Sequence, residues 1–82
     1  MSRTFHLTIA RVGENLFDGE AVSATLPGEG GVFQVLAHHE PLVSRLNAGE
    51  IRVEAGDGQK LAFDVAAGGI IEVSDNQATV LL

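Results

Sequence analysis

Apolar and polar residues alternate with a period of two along most of this chain. Phe5, Leu7 and Ile9 are interleaved with Thr4, His6 and Thr8, the pattern of a strand with one face buried. The phase falters at Arg11-Val12-Gly13, which predicts a bulge or bend. Leu16-Phe17 then lead into Asp18-Gly19, a dipeptide that predicts a hairpin turn because Gly accepts positive φ. Val22, Ala24 and Leu26 alternate with Ser23 and Thr25 up to Pro27-Gly28. Beyond Glu29-Gly30-Gly31, which reads as a hairpin loop, Val32–Leu36 resume as strand.

A polar corner, Ala37-His38-His39-Glu40-Pro41, precedes the short segment Leu42–Leu46, and Asn47-Ala48-Gly49 turns the chain again. Ile51 and Val53, then Leu61, Phe63 and Val65, alternate on either side of a Gly56-Asp57-Gly58 loop. Gly68-Gly69 introduces Ile70–Val73, Asp75-Asn76 turns once more, and Ala78, Val80 and Leu82 close the series. Turn signals recur at roughly 8–12 residues with no sustained helical period, which predicts a small antiparallel β-sandwich or barrel. The expected core is Phe5, Leu7, Ile9, Val22, Leu26, Phe33, Val35, Ile51, Val53, Phe63, Val73 and Val80. Residues 1–82 read as one domain, since 82 residues support no more.

Composition narrows the classes of function. The chain has no Cys, which excludes disulfides, thiol chemistry and Cys-based zinc sites. Eleven acidic against five basic side chains give a formal charge of −6. Arg3, Arg11, Arg45, Arg52 and Lys60 are scattered, so no basic stripe is available to neutralise phosphates. Four Phe without Tyr or Trp supply no base-stacking platform. No apolar run reaches the 18 or so residues of a membrane span, and the N-terminus lacks the apolar core of a signal peptide. A soluble, cytoplasmic protein is expected.

Candidate chemistry is sparse. His38-His39-Glu40, with His6, invites a metal reading, but adjacent residues of an extended chain point to opposite faces and a third ligand is not evident. Gly28-Glu29-Gly30-Gly31 has the glycine content of a phosphate cradle. Yet strand rather than helix follows it, and Glu29 would repel an anion. No serine sits in a nucleophile elbow. Lys60, near a turn, allows one alternative function, a lipoyl or biotinyl carrier modified at that lysine, although the flanking Asp or Met of such carriers is missing. The expectation is therefore no catalytic residues, no cofactor and no metal, in an acidic interaction module.

The order of features resembles a known family. Phe5-His6-Leu7, Leu16-Phe17-Asp18-Gly19, Leu26-Pro27-Gly28 and Gly31-Val32-Phe33-Gln34-Val35-Leu36 come first. His39-Glu40-Pro41-Leu42-Val43, Leu46-Asn47-Ala48-Gly49-Glu50-Ile51-Arg52-Val53 and Gly68-Gly69-Ile70-Ile71-Glu72-Val73 follow, and Ala78-Thr79-Val80-Leu81-Leu82 ends the series. Together, from Thr4 to Leu82, these resemble the N-terminal domain of the epsilon subunit of F-type ATP synthase. Ala37-His38 departs from the family's Pro or Ala followed by Gly. The family's pair of C-terminal helices, which inhibits ATP hydrolysis, has no counterpart up to Leu82.

The resemblance implies a ten-stranded flattened antiparallel sandwich. It also implies a non-catalytic rotor subunit, one copy per complex and monomeric when isolated, which links the gamma subunit to the c-ring and couples proton flow to ATP synthesis. Such a subunit sits peripherally on the cytoplasmic face of the bacterial inner membrane. Carried over by position, Gly28, Glu29, Gly30, Gly31 and Val32 would face the c-ring with His39 near the same end, and Arg11, His39 and Ser44 would face gamma. Glu29 would pair with an arginine of the c-ring loop.

Overall fold

The computed structural model describes residues 3–82. Eight strands account for most of them: β1 (Phe5–Arg11), β2 (Glu14–Gly28), β3 (Gly31–Leu36), β4 (Leu42–Arg45), β5 (Gly49–Ala55), β6 (Lys60–Val65), β7 (Ile70–Ser74) and β8 (Gln77–Leu81). They join in the order β4-β7-β8-β1-β2-β5-β6, with β3 added on β2. The all-β class holds. The described residues form eight strands rather than ten, and the sheet is mixed rather than purely antiparallel. Its parallel ladder sets β1 beside β8, with His6 opposite Gln77 and Ala10 opposite Leu81.

Part of the difference in count lies in β2, a single strand of 15 residues where the sequence pattern suggests two. The turn falls at Val12-Gly13, with Gly13 at φ +78, and not at Asp18-Gly19. A turn at Asp18-Gly19 would deny β1 its partner. With the turn at 12–13, Thr8 pairs with Asp18 and Leu7 with Gly19. The phase break near Arg11 has its own cause, because the register slips between Ile9 and Ala10, so that Ile9 faces Phe17 while Ala10 faces Asn15.

A second irregularity in β2, between Ala21 and Ser23, decides the architecture. Before it the strand pairs with β1; beyond it, Ala24 pairs with Val35 of β3 on one side and Val53 of β5 on the other. The extra residue turns both Ala21 and Ala24 inward and leaves Val22 only half-buried, against the expectation from simple alternation. Through this bend β2 belongs to both layers of the sandwich. The inner faces of β1, β7 and β8 (Leu7, Ile9, Ile71, Val73, Ala78, Val80) close one core with Leu26, Val35, Ile51 and Val53.

Phe33 and Phe63 pack against this core without being enclosed by it. They stand on β3 and β6, edge strands with a neighbour on one side only, so their outer flanks stay wet. The remaining expected core residues are all buried. Leu46, Val65 and Ile71 join them.

Candidate partner-binding surfaces

The β2–β3 hairpin ends in a two-residue turn, Glu29-Gly30. Gly31, not the turn residues, takes the positive φ (+131). Its base is tightly closed. A Cβ on buried Gly28 would stand 2.7 Å from the carbonyl oxygen of Gly31 and from the Phe33 ring, so only glycine lets β2 and β3 meet here. The hairpin is fastened to the β4–β5 connection: the Glu29 N–H donates to the Arg45 carbonyl at 2.9 Å, and the Asn47 N–H to the Pro27 carbonyl at 2.8 Å. Glu29 and Val32 are exposed on this pinned tip, Val32 by 75%.

Arg11 shares that pole of the molecule. It lines a shallow depression of about 310 Å³ with Gly68, Gly69 and Leu82. Gly68 and Gly69 bond in turn to Leu46, the residue between Arg45 and Asn47. The Arg11 guanidinium has Glu14 3.6 Å away across the turn.

His39 lies elsewhere. It follows β3, whose six residues separate it from Glu29-Gly30 by about 20 Å at the usual rise of a strand. The corner is tied to the opposite pole, where the His38 N–H donates to Asn76 Oδ1 (2.7 Å) and Asn76 Nδ2 donates to the Thr4 carbonyl (2.9 Å). His39 Nδ1 donates to the Glu40 carbonyl at 2.7 Å. Ser44 lies between the poles on β4, half-buried, with its hydroxyl donating to the Arg45 carbonyl. So Gly28–Val32 form one contiguous tip, while Arg11, Ser44 and His39 are spread from one pole to the other and His39 does not join the tip.

One surface was not anticipated. On the outer face of β4, β7 and β8, Ile70 pairs with Leu81, Ala10 flanks Leu81, and Val43 stands on β4 beside this row. Val43, Ile70 and Leu81 are 70%, 40% and 59% exposed. Exposed apolar side chains gathered on neighbouring strands make this a candidate place for a partner, bordered by charge, since Glu72 pairs with Val43 and Arg45 with Ile70. The signal was present in Ile70-Ile71 and Val80-Leu81-Leu82, where apolar residues occupy both faces of a strand. Among the described residues no group of three His, Cys, Asp or Glu is placed to hold a metal ion, and no helix is long and apolar enough to cross a membrane.

The family model for the Delta/Epsilon chain beta-sandwich domain of ATP synthase matches residues 4–82. The chain belongs to that family.

Relatives include ATP synthase epsilon chains from Delftia acidovorans, 41% identical over 78 residues, and Polaromonas naphthalenivorans, 40% identical over the same length. Each alignment takes in 95% of this chain and 56% of the relative, so the chain spans little more than half the length of these epsilon chains. In structure it resembles a chain of the Euglena gracilis mitochondrial ATP synthase, solved with its OSCP, F1 and c-ring parts, at a TM-score of 0.88 and 26% identity. That match covers 99% of this chain and 51% of the other. A chain of the Tetrahymena thermophila central stalk and c-ring shares the fold at a TM-score of 0.76 and 15% identity, over 93% of this chain and 60% of that one.

Proposed function

We propose that this chain is the sandwich domain of an epsilon-type subunit in the central stalk of a proton-translocating ATP synthase, a non-catalytic part that holds the gamma subunit to the c-ring. The observation that carries this reading is the family match across the whole folded unit, residues 4–82. The surfaces suit the task. The exposed apolar residues Val43, Ile70 and Leu81 offer a face to bury against gamma, while Ser44, paired with buried Ile71, stands on the inner side of that layer and Arg11 at its end beside Leu82. The pinned tip Gly28–Val32 offers a rigid acidic contact for polar loops of the ring, with Glu29 as the charged group. His39, at the far pole, is assigned to neither the tip nor its ring contact. In this reading the domain rides on the membrane-embedded complex at its cytoplasmic face, as one copy per complex.

The lipoyl or biotinyl carrier reading is set aside. Lys60 begins the edge strand β6 opposite Glu54, an ordinary place for a lysine that discourages edge pairing.

The experiment is reconstitution of the chain with a synthase core depleted of its own epsilon subunit. Leu81→Asp should abolish gamma binding, whereas Glu29→Lys should leave gamma binding intact. The latter should weaken ring attachment by about 1 kcal/mol or less, an effect that fades with salt. A wild-type chain that does not bind gamma would overturn the assignment.

A further inference from the structure

His6 stands on the outer face of β1 between two carboxylates of β2. Its Nε2 lies 2.7 Å from Asp18 Oδ1 and its Nδ1 3.3 Å from Glu20 Oε2. Each carboxylate has a hydroxyl behind it: Thr8 Oγ1 donates to Asp18 Oδ1 at 3.2 Å, and Thr4 Oγ1 donates to Glu20 Oε1 at 2.8 Å. Ionised carboxylates only accept hydrogen bonds, so both contacts persist together only when both ring nitrogens carry protons. A neutral imidazole has one bare nitrogen, and that lone pair would face a carboxylate oxygen. The arrangement therefore has two states, and loss of one proton must open one of its two contacts.

The place of this cluster gives the second state a consequence. His6 pairs directly with Glu20, one step before Phe5–Ala21 ends the β1–β2 ladder and β2 bends toward the other layer. The Glu20 carbonyl also accepts the Gly56 N–H at 2.9 Å, which ties the same residue to the β5–β6 turn. On the other side of β1, β8 presents the uncharged Gln77 and Thr79 in register. Asp57 of the β5–β6 turn borders the depression that Asp18 and Glu20 share, so the further ionisable group here is also acidic.

We propose that His6, Asp18 and Glu20 form a proton-operated clamp at the crossing of the two layers: the charged imidazole fastens β1 to β2 through both carboxylates, and the neutral imidazole keeps Asp18 and releases Glu20. Asp18 is retained because its contact is the shorter, and Glu20 keeps its hydrogen bond from Thr4. The electrostatics agree with the geometry. The hydrogen bond from Asp18 is the largest influence on His6 and raises its pKa above the ordinary 6.5; partial burial opposes this, and Glu20 adds to the rise. A raised folded-state pKa means that the clamp's contribution is complete below pH 6.5 and is lost as pH climbs through the folded value.

The test is a pH titration of the chain by NMR, following the His6 ring nitrogens and the Glu20 side-chain carboxyl carbon. At mildly acidic pH both ring nitrogens should be protonated. The His6 midpoint should lie above 6.5, and the Glu20 signal should shift with that same midpoint. Glu20→Gln should lower the midpoint and remove the coupled shift. The stability advantage of wild type over His6→Gln should shrink between mildly acidic and mildly alkaline pH. A His6 midpoint at or below 6.5, or one that Glu20→Gln leaves unmoved, would overturn the clamp. The wild-type titration decides the matter even if His6→Gln does not fold.

Discussion

Two glycines, two residues apart in the β2–β3 hairpin, should respond oppositely to the same substitution. At Gly28 an added methyl would meet the Gly31 carbonyl oxygen and two Phe33 ring carbons, all at 2.7 Å. Ordinary carbon contacts lie at about 3.5–4.0 Å, so roughly 1 Å of overlap must be relieved on two sides. Phe33 can swing outward, but the Gly31 carbonyl belongs to the β2–β3 ladder and cannot move without opening it. Overpacking typically costs about 1–3 kcal/mol, and a backbone obstacle puts Gly28→Ala in the upper part of that range. For a domain of this size that is a fall of roughly 10–20 °C in melting temperature. At Gly30 an added methyl would meet nothing within 4 Å, and the backbone has no positive φ. Gly30→Ala should therefore stabilise by about 0.4–1 kcal/mol, through the reduced entropy of the unfolded chain. Urea or thermal unfolding of the two variants settles the point. A Gly28→Ala protein within about 0.5 kcal/mol of wild type would refute the packing argument, as would destabilisation of similar size at both positions.

Ile71→Ala, which empties a fully buried site between the layers, should cost about 2–5 kcal/mol, whereas Phe63→Ala on the edge strand β6 should fall below the roughly 3–5 kcal/mol of an enclosed Phe; equilibrium urea unfolding compares them. Asn76→Ala should cost about 3 kcal/mol, since Asn76 holds φ +59 and its side chain bonds both the His38 N–H and the Thr4 carbonyl. Asn76→Gly should recover the conformational part alone, and hydrogen exchange at the His38 amide should be faster than in wild type in both variants.

Much of the fold was legible because alternation reports burial directly. Phe5, Leu7 and Ile9 lie on a regular strand, and they are buried as their spacing requires. Alternation misleads where one residue is inserted into the rhythm. The bulge at Ala21–Ser23 sends Ala24 inward after Ala21, and no local property of Ala-Val-Ser-Ala announces it. Asp18-Gly19 failed as a turn for a tertiary reason, since β1 needs those residues as its partner and Asp18 finds His6 and Thr8 there. Of the candidate surfaces, the Glu29-Gly30 tip could be read from glycine content. The position of His39 relative to it could not, because that depends on the direction in which β3 runs. The apolar row of Val43, Ile70 and Leu81 gathers residues from three strands, and only strand order brings them together.

The parallel seam between β1 and β8 also dictates when this domain can become itself. His6 meets Gln77, and Asn76 reaches back to Thr4, a separation of 72 residues. β4 and β7 reach β1 only through β8, the last of the eight strands to leave the ribosome. A growing chain can zip β1 to β2 early, yet the other long edge of β1 stays open until β8 arrives. Closing so distant a pairing places the domain among slow folders, on the order of milliseconds to seconds, and exposes a waiting edge to mispairing meanwhile. Removing the residues of β8 would not trim a margin of the sheet; it would open the sheet between β7 and β1 and leave β4, with β7, held to the β2–β3 hairpin through the Glu29–Arg45 and Gly28–Leu46 contacts.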